Sequence, residues 1–114
     1  MSNGIDIKLR IPYNGVYALG PGKADLLEAI MNSGSISAAA KSMGMSYKRA
    51  WDLVDTMNNS FKESLVATAT GGSHGGGAQV TAFGKNVLAH YRHIQQLANE
   101  ATRQEAQALC DLLR

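Results

Sequence analysis

The sequence predicts a mainly helical α+β domain, and three observations support this prediction. Apolar residues recur at helical spacing in four segments, two of which are separated by only three residues, Met43 to Met45. Short segments of strand-forming residues flank a glycine-rich run over 71–77, a pattern typical of a β-hairpin with a long tip. The last helical segment extends over about 82–113. Helix, tight turn, helix, hairpin and long helix in this order predict a winged helix-turn-helix with a long C-terminal helix.

Length and composition exclude several classes of function. The 114 residues fit one domain, and a hydrophobic fraction of 45% indicates a globular chain. No run approaches the roughly 18 apolar residues of a membrane span, and no segment resembles a signal peptide. The single cysteine, Cys110, excludes an internal disulfide framework and favours a reducing cytoplasm. A chain of this size leaves little framework around a deep pocket, so we expect a protein that is not an enzyme.

The chain opens on a segment of strict alternation, which predicts a half-buried edge strand that ends at Pro12. The apolar members of this segment are Ile5, Ile7, Leu9 and Ile11. Asn14-Gly15 then indicates a turn, and Gly20-Pro21-Gly22 indicates a break. The first helical segment follows, over about 24–31.

Two capped helices joined by a short turn are predicted over about 35–61. Ser35 caps a short alanine-rich helix, Gly44 allows a sharp bend, and Ser46 caps a longer amphipathic helix. On the longer helix an apolar arc is expected to face the core, with Trp51 wedged between helices. The opposite arc presents groups that bond to base edges and phosphates, among them Lys48, Arg49, Asp52 and Thr56.

The distribution of charge indicates a polyanionic partner more clearly than the net charge of +2 does. Between residues 41 and 49 there are three basic residues and no acidic one. They surround the first turn of the longer helix, where unpaired amides and the helix dipole also favour a phosphate. An ordinary corner between two helices of a bundle is the alternative, although such a corner need not be basic at this end.

The hairpin over about 65–81 is expected to be the wing, because it directly follows the two helices. Five glycines among the seven tip residues expose backbone amides that can follow a phosphate chain, and Ser73 and His74 can donate hydrogen bonds. A nucleotide-binding phosphate loop does not fit, because the residues around Gly84-Lys85 lack its upstream glycine and its Ser or Thr. A mobile loop without contacts remains the alternative.

Several short motifs together resemble a known family. They are Ser33-Gly34-Ser35-Ile36-Ser37, Gly44-Met45-Ser46-Tyr47-Lys48-Arg49-Ala50-Trp51, Met57-Asn58, Ala69-Thr70-Gly71-Gly72 with Gly75-Gly76-Gly77, and Val80-Thr81-Ala82-Phe83-Gly84. Over about residues 23–94 the chain is similar to the N-terminal DNA-binding domain of the molybdate-dependent ModE-type transcriptional regulators. The resemblance implies a winged helix whose recognition helix enters the major groove, and dimers formed through flanking helices.

The resemblance also implies DNA contacts at Ser46, Lys48 and Arg49 on the recognition helix, and at Thr70 and the glycine tip in the wing. The DNA-binding residues that we predict in full are Ser35, Ser37, Ser46, Tyr47, Lys48, Arg49, Asp52, Thr56, Thr70, Gly71, Gly72, Ser73 and His74. The family's molybdate-binding domains would follow this segment. We therefore expect residues 1–114 to form a single domain without an effector site, with any sensing done by a separate protein.

The long helix shows a dimerisation pattern, because its apolar residues follow alternate steps of four and three that only Glu105 interrupts. The domain's own core can use the first two turns, and the remainder requires a partner surface, most simply a second copy. The dimer contacts that we predict are Tyr91, Ile94, Ala98, Ala101 and Leu112.

The remaining candidate sites favour no chemistry. His90 and His93 lie one turn apart on the long helix, but two imidazoles without a nearby thiolate or carboxylate make a poor zinc site, so we expect neither a metal nor a cofactor. Cys110 lacks a basic environment, and no Ser-His-Asp pattern has a local signature, so no catalytic residue is predicted.

These expectations combine into one functional prediction, a homodimeric, sequence-specific regulator that binds double-stranded DNA in a prokaryotic cytoplasm and makes no membrane contact. Two alternatives remain open. An architectural or non-specific DNA-binding protein would keep the fold, and a protein-interaction module would use the same helices to bind another chain.

Overall fold

The computed structural model describes residues 4–69 and 77–114. The elements of these residues are, in chain order, β1 (Ile11–Tyr13), β2 (Val16–Leu19), α1 (Pro21–Ser33), α2 (Ile36–Ser42), α3 (Tyr47–Ser60), β3 (Val66–Thr68), β4 (Ala78–Val80), α4 (Ala82–Ala101) and α5 (Arg103–Cys110). β1 pairs with β2 and β3 with β4, both antiparallel. This order confirms the predicted winged helix-turn-helix, in which α2 and α3 are the two helices and the β3–β4 hairpin is the wing.

The core lies among α1, α2 and α3, and β4 packs against one side of α1. Leu26, Leu27 and Ile30 of α1 are completely buried, and Val54 and Met57 supply the buried face of α3. Burying a large apolar side chain contributes about 1.5–3 kcal/mol, so these five residues strongly restrict the orientation of α3. Its opposite face is thereby directed to solvent.

Local hydrogen bonds begin the helices where the sequence predicts. The side-chain oxygens of Ser35, Ser46 and Thr81 accept from the backbone N–H three residues later, at 2.9, 3.1 and 2.9 Å. Such N-caps stabilise a helix by about 1 kcal/mol each. Gly44 has φ of 68°, a left-handed conformation that lets the chain reverse sharply between α2 and α3.

The opening segment differs from the prediction of a paired strand. Residues 4–10 form no strand in the described structure, and β1 begins only at Ile11 and includes Pro12. A proline is tolerated there because a two-stranded hairpin leaves unpaired backbone positions on its outer edges. The extended segment instead lies against α4, where Tyr91 Oη donates a 2.7 Å hydrogen bond to the carbonyl oxygen of Leu9. The alternation therefore reflects packing against a helix.

The prediction of one continuous helix over 82–113 is wrong. α4 ends at Ala101 and α5 begins at Arg103, and the last residues after Cys110 are not helical. The hydroxyl of Thr102 donates to the carbonyl oxygen of Ala98 at 2.8 Å, the kind of side-chain bond that bends helices. The molecule is nevertheless elongated, measuring 57 × 28 × 24 Å. Within the described ranges, α4 and the other helices lack the combination of length and apolar character needed to cross a bilayer.

Candidate nucleic-acid interface

The first turn of α3 presents the basic groups that the sequence predicts for a polyanion. Lys48 and Arg49 are both exposed, and the first turn contains no acidic residue. Lys48 Nζ lies 3.1 Å from Asp52 Oδ2 on the next turn, in an ion pair open to solvent. An exposed pair of this kind is worth only about 0.3–0.5 kcal/mol, so an incoming phosphate can readily replace the Asp52 carboxylate as the partner of Lys48.

Lys23 of α1 adds a further positive charge that the sequence analysis did not single out. Partial burial lowers the pKa of Lys23 from its ordinary value, and the positive charge of Arg49 lowers it further. The two positive charges therefore repel one another, and a polyanion bound near both would relieve this repulsion. Lys23 could not be identified from the sequence, because 26 positions separate it from Arg49 along the chain and their interaction depends on tertiary packing.

The other predicted α2 and α3 contacts occupy different environments. Ser35 and Ser46 use an oxygen lone pair as N-caps, which leaves each hydroxyl proton available for donation. Ser37 is exposed, and the Thr56 hydroxyl donates to the backbone carbonyl oxygen of Asp52 at 3.0 Å, within its own helix. The wing contacts predicted at Thr70, Gly71, Gly72, Ser73 and His74 lie outside the described residues.

Asn58 joins α3 to the wing. Its Oδ1 accepts from the backbone N–H of Leu65 at 2.8 Å and of Val66 at 3.2 Å, and its Nδ2 donates to the carbonyl oxygen of Val66 at 3.0 Å. Three bonds from one half-buried amide hold β3 at a fixed position beside α3. The sequence analysis gave Asn58 no role, although an amide beside the apolar Met57 within a shared motif was a usable signal.

α4 also holds the wing, through a close backbone approach at Gly84. A Cβ atom on Gly84 would lie 2.3 Å from the carbonyl oxygen of Leu65 and 2.8 Å from Val80 Cγ1. Thr81 Oγ1 donates to the carbonyl oxygen of Ser64 at 2.8 Å, while its backbone N–H donates to that of Leu65 at 2.9 Å. The spacing Thr-x-x-Gly therefore serves two purposes, capping α4 and letting its first turn touch the backbone of Leu65, the residue before β3.

The end of α1 supplies a third attachment for the wing. The backbone N–H of Ala78, at the start of β4, donates to the carbonyl oxygen of Gly34 at 2.9 Å. Three helices thus fix the base of the hairpin relative to the first turn of α3.

The structure corrects the prediction that Trp51 is a core wedge. Trp51 is 42% exposed and Tyr47, one turn earlier, is 55% exposed. The apolar arc predicted from the sequence is wider than the face that α3 buries, which is centred on Ala50, Val54 and Met57. The two aromatic side chains therefore lie at the edge of the buried face, on the surface of the helix.

The predicted dimer contacts fall into two groups. Tyr91 is 2% exposed and belongs to the chain's own core, whereas Ile94 and Leu112 are 45% and 81% exposed. Ala98 is half-buried and Ala101 is exposed. Apolar side chains at the C-terminal end are thus presented to solvent. The large ones form the C-terminal apolar surface, namely Ile94, Leu97, Leu109, Leu112 and Leu113.

The two histidines of α4 are the residues that the sequence analysis considered as metal ligands. His90 and His93 are both exposed. Across residues 4–69 and 77–114, no three His, Cys, Asp or Glu side chains are grouped closely enough to hold a metal ion.

Comparison with known proteins relates this geometry to a family. Residues 23–85, more than half of the chain, match the family described as bacterial regulatory helix-turn-helix protein, lysR family. The chain is 49% identical over 78 residues to the molybdenum transport protein ModE of Azotobacter vinelandii, an alignment that covers 68% of this chain and 29% of that protein.

Two further relatives have names that refer to transcription. Over 96 residues the chain is 42% identical to the transcriptional regulator ModE of Yersinia pestis, covering 82% of this chain and 36% of that protein. Over 81 residues it is 43% identical to the DNA-binding transcriptional dual regulator ModE of Escherichia coli strain K12, covering 71% and 31%. The chain spans about a third of the length of these relatives.

Proposed function

Because this chain belongs to the bacterial regulatory helix-turn-helix proteins of the lysR family, we propose that it binds a specific site in double-stranded DNA and regulates transcription there. This is a binding function and not an enzymatic one. The basic and exposed first turn of α3, a helix that Asn58 bonds to the wing near its other end, supports it most directly. The similarity to regulators named ModE supports the same conclusion.

The proposed complex places α3 in the major groove with its first turn against the bases. Arg49 has the planar guanidinium that pairs with guanine O6 and N7, and Asp52 can accept from cytosine N4. Lys48 and the hydroxyl of Ser46 are suited to phosphate oxygens, which position the protein without reading sequence. The wing, attached at its base to three helices, would then contact the neighbouring part of the duplex.

The proposed assembly is a homodimer formed through the C-terminal apolar surface. Covering the apolar side chains of this surface with a partner would stabilise the assembly by about 25 cal/mol for each Å² of apolar area removed from water. A second copy offers a matching surface by symmetry, and two recognition helices would then reach major grooves about 34–36 Å apart. The DNA site would accordingly be an inverted repeat.

The proposed setting is a prokaryotic cytoplasm, and we propose that residues 1–114 hold no molybdate site of their own. A site selective for a tetrahedral dianion needs several converging donors held in place. Lys23, Lys48 and Arg49 are cations that could attract such an anion, and in this proposal they face DNA.

Selection of genomic fragments by the purified protein, followed by titration of a selected and a scrambled fragment at one salt concentration, tests the proposal. We expect the selected fragment to bind about 10³-fold more tightly or better. Equal affinity for both fragments would indicate an architectural protein. A chain that binds no fragment but captures another protein would be an interaction module.

A further inference from the structure

Two exposed aromatic residues on α3 have no role in the core. Tyr47 and Trp51 are one turn apart, and each leaves about half of its surface in contact with solvent. Large aromatic side chains are seldom left exposed in adjacent turns of a helix without a partner, because their apolar area is large. Each also ends in a hydrogen-bond donor, the Tyr47 Oη and the Trp51 Nε1.

The position of Asn58 shows which side of α3 the aromatic pair occupies. Trp51 precedes Asn58 by seven residues, about two helical turns, and Tyr47 precedes it by eleven, about three turns. The three residues therefore lie along one edge of α3. Since Asn58 is bonded to β3, this edge meets the base of the wing near the C-terminal end of α3. Tyr47 and Trp51 line it at the end of α3 nearest the basic first turn.

We propose that Tyr47 and Trp51 form a binding surface for the sugar–phosphate backbone of one DNA strand, which runs along the edge of α3 that they line. This inference rests on the proposed function and adds a contact to it. The aromatic rings would pack on deoxyribose, and the Oη and Nε1 groups would donate to phosphate oxygens. Neutral donors of this kind position the protein on the duplex without reading its sequence.

Continuity with the basic face favours a DNA strand as the occupant of this edge. Tyr47 is adjacent to Ser46 and Lys48, so the aromatic pair and the phosphate-binding groups share the first turns of α3. The apolar side chains that suit a second copy lie elsewhere, on α4 and α5. A polyanion covering the cations of this turn would necessarily approach the adjoining aromatic edge.

The test measures the affinity of Tyr47→Phe, Trp51→Phe and Trp51→Ala for the selected and the scrambled fragment over a range of salt concentrations. Loss of a hydrogen bond to a charged group should weaken binding about tenfold, and Trp51→Ala should weaken it more because it also loses the ring. Both fragments should be affected equally. The dependence of log affinity on log salt should keep its slope, since neutral donors release no counterions.

The matched control is Tyr13→Ala, which removes a similarly exposed aromatic side chain from β1 and should leave both affinities unchanged. Circular dichroism and thermal melting establish that each variant is folded, and Trp51→Phe retains most of the packing if Trp51→Ala does not fold. Affinities equal to the parent's would overturn the inference while leaving the proposed function intact. Weakening confined to the selected fragment would also overturn it, because the pair would then be reading bases. A parent chain that binds neither fragment would instead refute the proposed function.

Discussion

Adjacent residues on α3 illustrate how much of the proposed function depends on single side chains. Lys48 is a compact point charge, whereas Arg49 presents a planar fork of donors that matches the acceptors of a guanine edge. Both are exposed on the same turn. Their chemistry therefore predicts different consequences when each is removed.

Arg49→Ala should weaken binding to the selected site by about 1–3 kcal/mol and affect a scrambled site much less, because a bidentate base contact is lost. Lys48→Ala should weaken both and lower the slope of log affinity against log salt by about 0.9, the value for one phosphate contact. Fluorescence anisotropy titrations at several salt concentrations measure both quantities. Lys62→Ala, an exposed lysine beyond the end of α3, is the control. Parent-like binding by both α3 variants would exclude this helix from DNA recognition.

At the level of secondary-structure elements, close contacts with backbone atoms hold the base of the wing. The close approach of α4 to Leu65, the residue before β3, requires that Gly84 lack a side chain. A Cβ atom on Gly84 would lie nearest to the backbone oxygen of Leu65. Backbone atoms have little freedom to move aside. Asn58 completes the attachment from α3, so that the hairpin and the recognition helix form one unit.

Gly84→Ala should destabilise the fold by more than about 2 kcal/mol, because its Cβ cannot be accommodated without moving β3. Gly22→Ala is the matched control. Gly22 lies in the first turn of α1 with nothing within 4 Å of an added Cβ, and alanine there should leave stability unchanged or raise it by about 0.4–1 kcal/mol. Urea denaturation followed by circular dichroism compares the two. Equal stability of the two variants would contradict the contact at Gly84.

The elements differ in how far the sequence predicts them. Local features were predictable, because the caps at Ser35, Ser46 and Thr81 depend on bonds within three residues. Features that depend on packing were not. The exposure of Trp51 reflects how α3 docks on α1 and α2, and the wing anchor at Asn58 requires knowing that β3 lies beside it.

The same distinction applies to the termini. The residues before Ile11 alternate between apolar and polar, and this pattern is the same whether the segment pairs with another strand or packs against a helix. The break at Thr102 was missed because threonine is tolerated within helices, so its identity does not indicate that α4 ends at Ala101. The structure describes the α2 and α3 members of the predicted DNA-binding set and not those in the wing tip, and the role of every member in DNA binding stays a prediction.

At the scale of the whole molecule, Arg92 fixes the C-terminal helices relative to the helix-turn-helix. Its Nε lies 2.6 Å from Glu28 Oε1 and one terminal nitrogen lies 2.9 Å from Asp25 Oδ1, both on α1. Burial of the guanidinium disfavours its charge, but the hydrogen bonds to Asp25 and Glu28 outweigh this and raise the pKa of Arg92 above its ordinary value. A dimer formed through α4 and α5 would therefore hold its two recognition helices at a defined separation.

Ile94→Glu should convert the proposed dimer to a monomer at micromolar concentration, because it replaces an apolar side chain of the C-terminal apolar surface by a charge. Gln104→Glu adds the same charge to an exposed position of α5 without removing an apolar side chain, and should leave the dimer intact. Sedimentation equilibrium determines the mass of each. If Ile94→Glu remains fully dimeric, the interface lies elsewhere, and the N-terminal segment becomes the next surface to test.

Molybdate should leave the DNA affinity of these 114 residues unchanged, because the cations that could attract it are those proposed to bind DNA. Calorimetry with molybdate, tungstate and sulfate, together with DNA titrations in the presence of each, measures any response. Stoichiometric binding at micromolar concentration that is selective for molybdate would reveal a site within this chain.

Amide chemical-shift mapping of the labelled protein with its selected DNA fragment tests the central claim most directly, because it locates the interface residue by residue. We expect the largest shifts over residues 46–52 of α3 and in the wing, with small ones in α5. The largest shifts in α4 and α5, with little change over 46–52, would contradict the account.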